Sequence, residues 1–97
     1  MEISKNLNGE TLTFALEGRL DTVTAPALEN ELKDIGDITL LIIDLEKLEY
    51  ISSAGLRVML MAQKLMSAKG EMKVTNVCDA VREVFEITGF ADILNIE

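Results

Sequence analysis

The stretch from Ile38 to Lys69 constrains the whole chain. Leu40 to Leu45 is almost continuously apolar and rich in Ile and Leu, with Asp37 before it and charged residues after it. Such a run reads as a strand covered on both faces. Leu56 to Lys69 is too long for an ordinary strand and full of Leu, Met and Ala, so it reads as a helix. Between them stands Ser52-Ser53-Ala54-Gly55, which puts two hydroxyls where a buried strand hands over to a helix. A helix start leaves its first N–H groups without partners, and Ser is a preferred cap because its side-chain oxygen accepts from one of them. Capping is one reading of Ser52 and Ser53. The other is phosphorylation, since a phosphate adds about −1.5 to −2 charge and would sit at the positive end of the helix dipole. Position and spacing leave both readings open.

The rest of the chain follows the same alternation. Ile3, Lys5 and Leu7 predict a short half-buried strand. Asn8-Gly9 predicts a type I′ hairpin turn. Leu12, Phe14 and Leu16 then mark a second, antiparallel strand that breaks at Gly18. Arg19 to Thr24 reads as a loop. Thr24 is placed to cap a helix, with Pro26 in its first turn, Leu28, Leu32 and Ile35 as its apolar stripe and Gly36 as its stop. In the central helix, Met61, Leu65, Val58, Ala62, Met66 and Met59 form one arc expected to face the sheet. Leu56 and Leu60 lie outside that arc, so either a neighbouring helix or a partner covers them. Met72 to Thr75 is a further strand, and Val81, Val84, Phe85 and Thr88 mark a last helix stopped by Gly89. Phe90, Ile93 and Leu94 then dock a short tail on the core. The expected architecture is α/β: a single small domain over residues 1–97, in the order β-β-α-β-α-β-α. Its mixed four- to five-stranded sheet is flanked by helices and joined by right-handed crossovers.

Composition narrows the function. Seventeen acidic residues against nine basic ones give a net charge of −8. Nucleic-acid binding needs a basic footprint, so direct contact with nucleic acid is not expected, and a basic protein surface suits the chain better. Cys78 is the only cysteine, which rules out an internal disulfide and fits the reducing cytoplasm. It stands near a helix start without a base to activate it, so a small, partly buried apolar role is expected. There is no histidine, the commonest metal ligand and general base. No signal pattern opens the chain, and no apolar run approaches the roughly 18 residues needed to cross a membrane, so membrane insertion is not expected. The chain has no phosphate-binding glycine loop of the Walker or dinucleotide type, no G-x-S-x-G and no paired cysteines. No metal, cofactor or enzymatic activity is expected, because neither Ser52 nor Ser53 has an evident base. The acidic pairs Glu29/Glu31 and Glu46/Glu49 read as solvated surface. Asp21 reads as a turn or cap carboxylate.

Asp44-Leu45-Glu46-Lys47-Leu48-Glu49-Tyr50-Ile51-Ser52-Ser53-Ala54-Gly55-Leu56-Arg57 resembles the signature segment of the STAS family, in particular its stand-alone anti-sigma factor antagonists. Gly18-Arg19-Leu20-Asp21 and the segment Ala80 to Phe90 resemble that family too, so the resemblance spans nearly the whole chain. It implies that Ser53 is the phosphorylation site and that Asp21 lies near the acceptor loop. The family pattern has Asp immediately before the acceptor. Ser52 stands there in this chain, which puts that carboxylate's role in doubt and leaves Ser52 as a second acceptor candidate. The resemblance further implies a partner surface of Asp21, Ser52, Ser53, Gly55, Leu56 and Arg57. The implied partner is an anti-sigma factor with serine kinase activity, which unphosphorylated antagonist binds so that a sigma factor is freed; a phosphatase resets the switch. The family offers a second implied function, that of an accessory subunit of an anion or lipid ABC transporter. A third reading places a nucleotide or small anion beside Ser53, at the helix N-terminus.

Overall fold

Two rows of apolar side chains run across the sheet and set its buried face. Leu12, Leu41 and Met72 form one row, and Phe14, Ile43 and Val74 the next; all six are buried. The computed structural model, which describes residues 1–97, arranges these strands in the order β1-β2-β3-β4. β1 (Glu2–Asn8) pairs antiparallel with β2 (Thr11–Leu20). β3 (Leu40–Ile51) and β4 (Glu71–Thr75) continue the sheet in parallel with β2. The crossovers carry α1 (Ala25–Leu32) and α2 (Ser53–Ser67), and α3 (Asp79–Thr88) follows β4. A turn of 3-10 helix, Phe90–Asp92, and a single bridge from Ile96 to Val74 close the chain. The mixed α/β sheet and its element order agree with the sequence reading.

The core is one cluster. Leu28 and Leu32 of α1, Val58, Met59, Ala62 and Met66 of α2, and Val81 and Phe85 of α3 all join the strand rows there. The helices therefore lie on one face of the sheet. The other face is open, and on it Thr13, Ala15, Ile42, Asp44, Lys73 and Thr75 are half-buried. β3 is thus not covered on both faces. Its apolar run reflects its central place, where neighbours on both sides shield Leu40 and Ile42 in part.

Several local expectations change for identifiable reasons. The hairpin loop is Gly9-Glu10, because Asn8 pairs with Thr11. Gly9 has φ +66 and Glu10 does not share the positive region, which is the pattern of a II′ turn with Gly first. Leu7 remains 63% exposed because β1 is the sheet edge, with a strand neighbour on one side only. β2 does not break at Gly18 but runs on to Leu20, with Gly18 at φ +106 beside a register shift. β3 likewise continues past Leu45. Ala15 pairs with Asp44 but Glu17 with Lys47, and Gly18 pairs with Leu48 but Arg19 with Tyr50, so β3 carries an extra residue at each of two bulges. Burial there falls on Leu45, Leu48 and Ile51, every third residue, which hides the strand from a search for period two. Helix α1 ends at Leu32, a turn before Gly36. In the tail, Leu94 is buried while Ile93 points outward.

Helix α2 is rotated from the expected arc. Leu56 is buried, whereas Met61 and Leu65 are half-exposed and line a groove of about 400 Å³ against α1. Gly55 explains the rotation. A Cβ there would stand 2.8 Å from both Ile51 Cγ1 and Leu20 Cγ and 2.9 Å from the Leu20 carbonyl oxygen. Only a residue without a side chain lets the start of α2 sit so close to the ends of β2 and β3.

Candidate functional site

Parallel strands deliver their chain ends to one edge of a sheet, and here β2 and β3 deliver two turns side by side. The Ser52 N–H donates to the Leu20 carbonyl at 2.9 Å, so the turn after β2 and the start of α2 are directly joined.

The two serines have different duties. Ser52 is extended and stands at the N-cap of α2, where its hydroxyl accepts from the Gly55 N–H at 3.4 Å. Ser53 is the first residue of the helix, is exposed, and its hydroxyl makes no hydrogen bond within the chain. Ser and Asp are both good N-caps, so Ser52 can hold the place of the family's Asp as far as the helix start is concerned. Arg57 lies four residues beyond Ser53, one turn along the same helix face, and is exposed. Gly55 and Leu56 are both buried, Leu56 at 7% exposure, and seat the helix start.

Asp21 caps the other turn. Its Oδ1 accepts from the Val23 N–H at 3.0 Å and the Thr24 N–H at 3.1 Å. The Thr24 hydroxyl oxygen accepts from the Asp21 N–H at 2.8 Å and donates to the Arg19 carbonyl at 2.8 Å. The Ala25 N–H donates to the Asp21 carbonyl at 2.8 Å. This is a reciprocal capping box, with Asp21 in the capping place expected of Thr24. Thr24 itself has helical backbone angles and makes no side-chain cap bond to α1. The Thr24 N–H holds the Asp21 carboxyl below the usual carboxylate range against the opposing effect of burial, and the Val23 N–H and Arg19 add smaller contributions in the same downward direction.

Sequence reading missed three neighbours. The Arg19 guanidinium lies 4.1 Å from the centre of the Tyr50 ring, and its Nε stands 3.8 Å from Asp21 Oδ2. The pair depends on the second β3 bulge, which brings Tyr50 opposite Arg19, so no spacing rule could reveal it. Val23 is 86% exposed. Its signal was one apolar residue between two threonines in a polar turn.

Other features lie apart from this edge. Asp44 Oδ1 accepts from the Glu46 N–H and from Asn76 Nδ2, both at 3.0 Å, and so ties the first β3 bulge to the end of β4. Cys78 is half-buried, with its Sγ 3.5 Å from the Leu48 carbonyl. Clefts open on the bare sheet face around Ser4, Glu17 and Asp44, beside Cys78, and between α1 and α2.

The STAS domain family model matches residues 2–97, and the chain belongs to that family. BtrV of Bordetella bronchiseptica, which carries the name of an anti-sigma factor antagonist, is 42% identical over 89 residues, covering 88% of this chain and 76% of its own. The anti-sigma-B factor antagonist of Listeria monocytogenes is 30% identical over 96 residues, covering 96% and 84%. The unphosphorylated structure of SpoIIAA, an anti-sigma factor antagonist, superposes with a TM-score of 0.78 at 21% identity, covering 99% of this chain and 87% of that one. The phosphorylated form, described as a Bacillus cell fate determinant, gives 0.77 at 21% identity, covering 99% and 91%. At that identity the likeness speaks for the fold.

Proposed function

We propose that this protein is a cytoplasmic anti-sigma factor antagonist switched by phosphorylation of Ser53. Unphosphorylated, it binds an anti-sigma factor that is also a serine kinase and so frees a sigma factor. The kinase phosphorylates Ser53 and the complex dissociates; a phosphatase restores the hydroxyl. The protein acts by binding, with the phosphoryl-transfer chemistry supplied by its partners.

One observation carries the reading: of two adjacent serines at a helix start, Ser52 is used in capping, and Ser53 is exposed and free of internal bonds. Ser53 can therefore be modified without removing the cap. Its phosphate would lie among the first N–H groups of α2 and one turn from Arg57, an arrangement that a helix start accepts. The contact surface comprises Ser53, Arg57 and the Asp21 turn, with Gly55 and Leu56 holding them from beneath. Taking a doubly charged group out of water into an interface where the partner protein offers it no counter-charge costs several kcal/mol, and each 1.4 kcal/mol is tenfold in affinity. One phosphate is enough to disable a micromolar complex without unfolding either protein.

The test is a pull-down from lysate of the source organism with wild type, Ser53→Ala and Ser53→Asp, followed by affinity measurement with the protein recovered. Wild type and Ser53→Ala should retain the kinase, and Ser53→Asp should bind at least about tenfold more weakly, since Asp carries less charge than a phosphate. Equal binding by all three would remove the charge mechanism. Recovery of transporter subunits by all three would instead favour the accessory-subunit role.

A further inference from the structure

We propose that Thr22 and Val23, the two residues enclosed by the Asp21–Thr24 capping box, select the partner, with Val23 entering an apolar pocket on the anti-sigma factor kinase. This rests on the function proposed above and adds a contact to it. Isolated exposed apolar side chains are common and by themselves mean little. Val23 differs in how it is mounted. Its own N–H is held by Asp21 Oδ1 at 3.0 Å, and bonds of 2.8 to 3.1 Å fix Asp21, Thr24 and Ala25 around it. A rigid turn carrying a β-branched side chain, stiff at χ1, has little freedom left to lose when a partner closes over it.

Its position also suits a central contact. The Leu20–Ser52 backbone bond joins this turn to the start of α2, so Val23 and Ser53 occupy the same edge of the sheet. Arg19, stacked at 4.1 Å on Tyr50, reaches the same turn through Asp21, whose Oδ2 lies 3.8 Å from its Nε. An apolar anchor on a turn that also holds this Arg–Tyr pair has the composition from which binding hot spots are drawn. The structural demands of the turn fall on Asp21 and Thr24, whose side chains make its bonds. The side chains of Thr22 and Val23 are exposed and make none of the turn's bonds, so their identity can change partner choice without a cost in folding.

The experiment uses the purified kinase partner and the full chain. Val23→Ser should weaken binding roughly ten- to a hundredfold, the effect of losing one fully buried valine from a contact. It should raise KM for Ser53 phosphorylation by a similar factor with kcat unchanged, because Val23 touches no transferred atom. Val23→Ile should stay within a few-fold of wild type, and both variants should keep the wild-type denaturation midpoint. Unchanged affinity in Val23→Ser, or a fall in kcat with KM unmoved, overturns the proposal while leaving the antagonist function intact. A wild-type chain that binds no such kinase overturns that function itself.

Discussion

Ser52 and Ser53 differ by one position and by most of their physical chemistry. Replacing Ser52 with Ala should cost about 1 kcal/mol through loss of the N-cap, and Ser52→Asp should recover it. Ser53→Ala should stay within about 0.5 kcal/mol of wild type, as expected of an exposed residue without partners. Urea denaturation of the three variants separates these outcomes. Asp21 makes a pH prediction. Hydrogen bonds to its ionised form, led by that from the Thr24 N–H, place its folded-state pKa below the unfolded value of about 3.9. Its contribution to stability is therefore present above that value and is lost as pH falls through the folded pKa. Asp21→Asn keeps an acceptor oxygen but does not titrate, so its denaturation midpoint should fall less steeply as the pH is lowered below the ordinary carboxylate range. At this scale the sequence marked the serine pair and Asp21 but could not divide capping from exposure, because both serines are competent caps.

At the scale of elements, the close seat of α2 on the strand ends depends on Gly55. Ala is the better helix former by about 1 kcal/mol, yet its Cβ would meet a backbone oxygen and two packed side chains at under 3 Å. Overpacking of this kind costs about 1–3 kcal/mol, so Gly55→Ala should be destabilising on balance. A urea midpoint equal to or above wild type would contradict the seating described. The strands and helices themselves were legible wherever a simple period held: Leu12, Phe14 and Leu16 alternate, and Leu28 and Leu32 share a helix stripe. The far ends of β2 and β3 were not, because two bulges replace alternation with burial at every third residue. The rotation of α2 was also hidden, since it depends on how closely Gly55 approaches Leu20 across the sheet. The edge that carries the site is made from these irregular parts, which is why Arg19 and Tyr50 escaped notice.

The whole molecule carries a net charge of −8, a field that favours a basic partner. Association with the proposed kinase partner should therefore slow as ionic strength rises, and stopped-flow rates between about 0.05 and 0.5 M salt would measure it. A rate indifferent to salt would assign the encounter to the apolar contacts instead. The edge with Ser53 lies at the end of β2, and the Gly9-Glu10 turn precedes its start. A strand of 10 residues spans about 30 Å, so the turn forms the opposite pole of the molecule. That pole is a natural point of attachment. Cys78 is the single native thiol and is half-buried, so a cysteine introduced at the exposed Glu10 would take a dye or tether in preference to it. A molecule anchored there would present its Ser53 edge outward in one orientation, ready for single-molecule observation of successive binding and release.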